Sequence, residues 1–229
     1  FYLTVQAFNF SERFRTPVVL LAEEVIGHCR ERFVMPDLSE ITVIDRKKPP
    51  AGSGKYYPYK PDADGVPPMA NFCEGFRYHV TGLVHDESGS PTTKADLAEQ
   101  LIKRLNSKIM DHLDEITLTE SLMTEDAEII LVAYGAVSRS ARQAVKQSRA
   151  EGIKAGLFRP ITIWPFPAKE VSALSRQARA IIVPEMNLGQ LIGEVERAAR
   201  SETKVIGVNR VTGEMITPDE ILTAIKSQI

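Results

Sequence analysis

From Glu128 onward, apolar and polar positions switch between two regular periods. Ile129 to Tyr134 is a short apolar run ended by Gly135, the pattern of a buried strand. Ser138 can cap a following helix that sets Val137, Ala141, Ala144, Val145 and Ser148 on one side and closes at Gly152. Ala155 to Phe158 reads as a second strand, Ala168 to Ala178 as a helix with Val171, Leu174 and Ala178 inward, and Ala180 to Val183 as a third strand. Asn187 is placed to cap a helix carrying Leu188, Leu191, Ile192, Val195 and Ala199, and Lys204 to Val208 is a fourth strand. Thr217-Pro218-Asp219-Glu220 marks a last helix start, with Thr at the cap, Pro at the first helical position and Glu at the third; Ile221, Leu222 and Ile225 face inward. Strands and helices alternating at this spacing predict an α/β fold with a mainly parallel sheet covered on both faces.

Upstream the pattern is less regular. Phe1 to Arg15 is helical in period, with Val5, Phe8 and Glu12, and Val18 to Leu21 is an apolar run of buried-strand type. A parallel strand needs cover on both faces. One helix cannot supply it, so residues 1–44, with a short helix near Val25 to Arg32, are expected to be the tail of a larger α/β domain. Residues 45–92 read as an extended arm. Pro49-Pro50, Gly52, Gly54, Pro58, Pro61 and Pro67-Pro68 are interleaved with Tyr56, Tyr57, Tyr59 and Phe72, and such aromatics favour packing over a polar linker. Residues 93–125 hold a connecting helix capped by Thr93, with Asp96 at its third position and Leu97, Leu101, Leu105 and Ile109 in one stripe; Lys103, Arg104 and Lys108 are expected on solvated faces. Residues 126–229 form the regular domain.

Composition narrows the function classes. The 229 residues are 43% hydrophobic and 25% charged, with a net charge of −2 and no basic stripe interleaved with aromatics, which argues against a nucleic-acid binder. No apolar run approaches the ~20 residues of a spanning helix, and the opening residues show no signal-peptide pattern. Cys29 and Cys73 form no CxxC pair, so neither a zinc knuckle nor a complete iron–sulfur ligand set is present. They are expected to be unpaired, buried or half-buried thiols of a cytoplasmic protein.

The chemistry-bearing candidates lie at strand ends. No GxGxxG, GxxxxGK[ST] or HExxH pattern occurs. Gly135-Ala136-Val137-Ser138 follows a strand and opens a helix, so its free N–H groups suit either an anion or a tight capped turn. In Pro184-Glu185-Met186-Asn187-Leu188-Gly189-Gln190 a capping box accounts for Asn187 and Gln190. Glu185 is then a carboxylate beside a helix N-terminus, placed to accept hydrogen bonds either as scaffold or toward a partner loop. Arg159 precedes Trp164-Pro165-Phe166-Pro167, a rigid turn that suits an interface or a local lid. His79 and His85, with Asp86 and Glu87 beside them, fit neither one helix face nor a zinc finger, which favours pH-sensitive hydrogen bonding near a site over metal binding.

Several ordered segments resemble one family: Phe14-Arg15-Thr16-Pro17 through Gly27-His28, His79-Val80-Thr81-Gly82-Leu83 with His85-Asp86-Glu87, Val132-Ala133-Tyr134-Gly135, Gly156-Leu157-Phe158-Arg159-Pro160, Trp164-Pro165-Phe166-Pro167 and Pro184 to Gln190. Together they resemble the α subunit of 2-oxoacid:ferredoxin oxidoreductases, with the 2-oxoglutarate branch favoured. The resemblance implies a transketolase-C-terminal-like domain over residues 126–229 and the end of a pyrimidine-type thiamine-binding domain over residues 1–44. It implies oxidative decarboxylation of a 2-oxo acid to an acyl-coenzyme A, with electrons passed to ferredoxin. Thiamine diphosphate with Mg2+ and an iron–sulfur cluster would serve the full hetero-oligomer, held mainly by regions outside this chain or by a β subunit. No catalytic or metal-binding residue is then expected here, and Glu185, Asn187, Arg159, His79 and His85 are expected to line a site or interface. Two other readings are a transketolase-like or dehydrogenase-complex E1 β-type chain that passes the acyl group to lipoamide, and a non-catalytic α/β assembly module.

Overall fold

The computed structural model describes residues 1–52 and 55–229; Ser53 and Gly54, part of the Pro/Gly-rich arm, lie outside the described residues. The chain forms two compact units, Phe1–Leu21 with Glu31–Ile116, and Ala22–Arg30 with Thr117–Ile229.

The first unit opens with helix α1 (Tyr2–Phe14), which ends at Arg15 in the left-handed conformation (φ 45°). Phe14 is buried in a small cluster with Val66 and Ile116. The second unit takes the next segment, which carries the short helix α2 (Glu24–His28). Helices α3 (Ala95–Met110) and α4 (Leu113–Ile116) close the first unit. Between them the arm packs through its aromatic rings and ion pairs. Tyr56 sets its ring edge-on to Phe76 and Tyr78, its hydroxyl donates to the Pro68 carbonyl (2.8 Å), and Arg46 grips Glu12 through two hydrogen bonds.

Four expectations fail here. Val18 to Leu21 forms no strand and is exposed, Val19 at 77%, because no neighbouring strand receives its backbone. Thr93 does not cap α3. The Thr92 hydroxyl instead accepts from the Lys94 N–H, the helix starts at Ala95, and no side chain caps it. Cys29 and Cys73 are free but exposed, on segments with no core to cover them. Lys108 is not solvated: its side chain folds against the end of α1, leaving 5% of the residue exposed, and Arg104 is half-buried.

The second unit is a five-stranded sheet of β1 (Thr119–Leu122), β2 (Ile129–Val132), β3 (Ala155–Pro160), β4 (Ala180–Glu185) and β5 (Lys204–Asn209), in the order β1-β3-β2-β4-β5. All neighbours run parallel except β1, an antiparallel edge strand that the periodicity did not predict because its four residues (Thr119, Glu120, Ser121 and Leu122) carry one apolar side chain. Alternate residues feed two cores. Ile129 and Leu131 pack with helices α5 (Val137–Ala150) and α8 (Pro218–Lys226), while Ile130 and Val132 pack with α6 (Ala168–Ser175) and α7 (Ile192–Ala198). Every β2 residue is therefore buried, as two-sided cover requires.

The helix patterns hold well inside this unit. Val137, Ala141, Ala144, Val145 and Ser148 are all buried on α5. Thr217 and Glu220 form the reciprocal cap of α8 behind Pro218. Ser138 departs from expectation: it lies inside α5 and its hydroxyl donates back to the Gly135 carbonyl (2.6 Å), since Ala136 already occupies the cap position. Asn187 and Leu188 also depart: α7 begins only at Ile192 with Leu191 at its cap position, so Asn187 and Gln190 form no capping box, and the preceding turn leaves Leu188 86% exposed.

Candidate functional site

The chain leaves β2 through α5 to reach β3 on one side, then crosses through α6 to β4 on the other side of β2. This reversal is a topological switch point, and the crevice outside the carboxyl ends of β2 and β4 is where open α/β sheets place ligands. Pairing of β4 with β2 stops at Ile182, whereas pairing with β5 continues to Glu185. Pro184, lacking an N–H, suits a strand that has lost its β2 neighbour at that level.

Glu185 closes β4 at 1% exposure. Its carboxylate accepts from the N–H groups of Leu191 (2.8 Å) and Ile192 (3.0 Å), from Asn187 Nδ2 (3.0 Å) and from the Tyr134 hydroxyl (3.3 Å). These four donors match the acceptor capacity of a carboxylate, and two of them are the orphan N–H groups at the start of α7. Asn187 works in both directions: its Oδ1 accepts from Gly189 and Gln190 N–H, while its Nδ2 also donates to Tyr134 Oη (2.9 Å). Gly189, at φ 100°, makes that turn in a conformation L side chains rarely adopt. Burial, and then the charge of Glu185, push the Tyr134 hydroxyl above its ordinary pKa, so it stays a neutral donor.

On the β2 side of the crevice the Gly135–Ser138 turn opens α5. The Ala136 N–H is taken by the Glu23 carboxylate at 2.7 Å, and a Cβ at Gly135 would meet Glu23 Oε1 at 2.1 Å. An anionic group does occupy this turn, and it is a side chain of the same unit. Tyr134 and Glu23 carry this geometry, and sequence reasoning missed both as site residues. The detectable signal for Tyr134 was a hydroxyl-bearing ring ending an apolar run before glycine; Glu23, 113 residues from its acceptor turn, carried none.

The other candidates lie apart from this crevice. Arg159 pairs across the ladder with Glu120 of β1 (3.1 Å), on the far side of β2 from β4. Glu120 also receives Arg142 of α5, whose hydrogen bond, against the opposing effect of burial, holds the carboxyl below its ordinary pKa. The Pro-aromatic turn divides its roles: Ile163 and Phe166 pack on the core beneath α6, and Trp164 remains 69% exposed. His79 and His85 belong to the first unit. His79 is exposed, and the half-buried His85 ring stacks on Tyr59 with centroids 3.6 Å apart. No cluster of three or more His, Cys, Asp or Glu side chains suited to a metal ion occurs among the described residues. No helix among them is long and apolar enough to cross a membrane.

Two family models match this chain: pyruvate flavodoxin/ferredoxin oxidoreductase, thiamine-diphosphate-binding, over residues 1–104, and pyruvate:ferredoxin oxidoreductase core domain II over residues 127–221. The chain belongs to the 2-oxoacid:ferredoxin oxidoreductase family. It is 44% identical over 98% of its length to 2-oxoglutarate synthase subunit KorA of Methanothermobacter marburgensis, and 40% identical over 98% to the subunit of the same name from Methanothermobacter thermautotrophicus. It spans 60% of the length of each of these relatives. Its backbone is similar to that of a 2-oxoglutarate:ferredoxin oxidoreductase from Magnetococcus marinus solved with 2-oxoglutarate, coenzyme A and succinyl-coenzyme A bound. The TM-score is 0.90 at 28% identity, over 99% of this chain and 40% of that one.

Proposed function

We propose that this chain is part of the α subunit of an oxidoreductase that decarboxylates a 2-oxo acid, 2-oxoglutarate by preference, and transfers the acyl group to coenzyme A. Carbon dioxide leaves, and the electron pair released passes one electron at a time to ferredoxin. The observation that carries the reading is 44% identity to a 2-oxoglutarate synthase subunit across 98% of the chain. The backbone likeness to an enzyme holding 2-oxoglutarate and both coenzyme A species supports it.

Thiamine diphosphate supplies the electron sink for such a decarboxylation. The described residues do not fit the groups that would anchor it or drain it. No three metal-ligating side chains converge, and two exposed cysteines fall short of the four thiolates a cluster needs. No step is therefore assigned to a Mg2+–diphosphate or cluster ligand in this chain; in this reading a β subunit holds them, in a cytoplasmic hetero-oligomer. The chain's own residues position. Glu185 and Asn187, with Tyr134, fix the turn at the switch point, and Arg159 fixes the edge of the sheet. His79 and His85 are read as lining a site or interface from the first unit.

The test is to assemble the full-length protein with its β subunit anaerobically and follow viologen reduction with 2-oxoglutarate, pyruvate and 2-oxoisovalerate. Coenzyme A-dependent reduction, fastest with 2-oxoglutarate, is the expected result. Dependence on lipoamide in place of ferredoxin, or no turnover from an assembled complex with its cofactors intact, would sink the proposal.

A further inference from the structure

The expectation that failed most sharply in the first unit, a solvated Lys108, leads to a second site. Lys108 Nζ donates to the carbonyl of Arg15 (3.2 Å), and Arg104 donates to the carbonyl of Gly65 (3.1 Å). The Arg15 guanidinium donates to the carbonyls of Pro58 and Pro68 and lies 5.2 Å from the centre of the Tyr59 ring, which stacks in turn on His85. All five of these side chains line one cavity of about 360 Å3, and no aspartate or glutamate lines it. The partners of the three cations are neutral carbonyls. Among the described residues no carboxylate pairs with Arg15, Arg104 or Lys108, although the neighbouring Arg13 pairs with Asp64 and Glu115, and Lys103 with Glu99.

Such an arrangement is costly unless an anion answers it. Burying cations without counter-charge is unfavourable, and like charges side by side add to the cost. Burial first, then Arg104 and Arg15, depress the Lys108 ammonium to about 8, and burial and Arg15 lower Arg104 as well. Arg15 holds its carbonyl toward Lys108 from a left-handed conformation unusual for a side-chain-bearing residue, the kind of strain that persists where the surroundings enforce it. A guanidinium offers five N–H donors and an ammonium three, so Arg104 and Lys108 each keep donors beyond the single bond described. Two guanidinium groups and an ammonium around one cavity suit a compact oxyanion of two or more charges, for which Arg and Lys are the standard protein ligands. The apolar walls, among them Leu101 and Leu105, leave room for an attached organic group.

We propose that this cavity binds a phosphate group, free or as part of an organic phosphate, held by Arg104 and Lys108 with Arg15 behind them. The site stands on these residues and not on the catalytic reading. The test uses the full-length protein in its assembled complex, titrated calorimetrically with inorganic pyrophosphate at pH 7. Lys108→Met and Arg104→Met keep the apolar stems and remove the charges, and each should weaken one class of sites about tenfold or more, the scale of a lost charge-assisted hydrogen bond. Lys108→Arg should retain binding. It should also lose the fall in affinity that the wild type shows as pH rises above about 8, where Lys108 is discharged in the presence of its neighbours Arg15, Arg104, Tyr59 and His85. Coenzyme A and its 3′-dephosphorylated form then separate the sources. A preference for the phosphorylated form that Lys108→Met abolishes makes a cofactor phosphate the occupant, and equal binding of the two leaves a free phosphate or another phosphate ester. Identical pyrophosphate isotherms for wild type, Lys108→Met and Arg104→Met would overturn the proposal. If viologen reduction persists in those variants, the catalytic reading survives its loss.

Discussion

Glu185 shows how a single buried charge can organise two loops. Its two oxygens collect donors from a strand-end tyrosine, a turn asparagine and two helix N–H groups, so one residue satisfies groups that apolar packing would leave unpaired. Glu185→Gln keeps the shape but turns an NH2 toward donors. It is expected to cost about 2–4 kcal/mol, the scale of leaving buried donors unsatisfied, measured as a loss of denaturation free energy. Lys108 makes the opposite case. Its folded pKa, about 8, lies below the ordinary value of 10.5, so between those values the unfolded chain holds a proton that the folded chain has released. Stability therefore rises with pH across about 8 to 10.5, by a gain on the order of 1–3 kcal/mol, and the penalty is in full force below pH 8. Subtracting the thermal profile of Lys108→Met from that of wild type should isolate this rise; a flat difference would show that the ammonium is not held as described.

At the level of elements, β3 is fixed by what cannot fit beside it. A Cβ on Gly156 would meet the Met123 carbonyl at 2.5 Å and Thr124 Cα and Ala127 Cβ at 3.0 Å, all on the loop that joins β1 to β2. Arg149 of α5 holds that loop, donating to the Met123 carbonyl (2.8 Å) and pairing with Asp126. Since the nearest atom is backbone and cannot swing aside, Gly156→Ala should destabilise the second unit by about 1–3 kcal/mol, read by chemical denaturation. Helix starts show the same division. The cap of α8 was legible because Thr217, Pro218 and Glu220 act on one another within four residues. The start of α7 was not, because the group that accepts its N–H bonds is Glu185, six and seven residues earlier and across a turn.

Across the whole molecule, the candidates divide between the two units: His79 and His85 in the first, Glu185, Asn187 and Arg159 in the second. Within the second unit Arg159, on β3, and the Glu185 cluster, at the end of β4, lie on opposite sides of β2. This separation yields a prediction for the assembled complex that the proposed function calls for. Glu185→Gln should lower turnover while leaving the complex intact by size-exclusion chromatography, because its partners, Tyr134 after β2 and Asn187, Leu191 and Ile192 after β4, all lie within the second unit. Arg159→Met, at a half-buried pair five residues before the exposed Trp164, should act on assembly first. Turnover lost in both variants with assembly untouched would place Arg159 in the site as well.

By itself the sequence determined the α/β alternation, the strand interiors and the inward faces of α5 and α8, because these rest on residues within a turn or two of one another, and the resemblance that named the family, because it rests on short motifs in a fixed order along the chain. Glu185 and Asn187 were also legible, as polar residues at a strand end. Tertiary structure alone decided the strand order that creates the switch point, the unpredicted edge strand β1, the Glu23 carboxylate on the α5 turn and the burial of Lys108 against α1. Those depend on which distant segments meet, 93 residues apart for Lys108 and Arg15. A lysine on a helix carries no local mark of the carbonyl and the two guanidinium groups that folding will set around it.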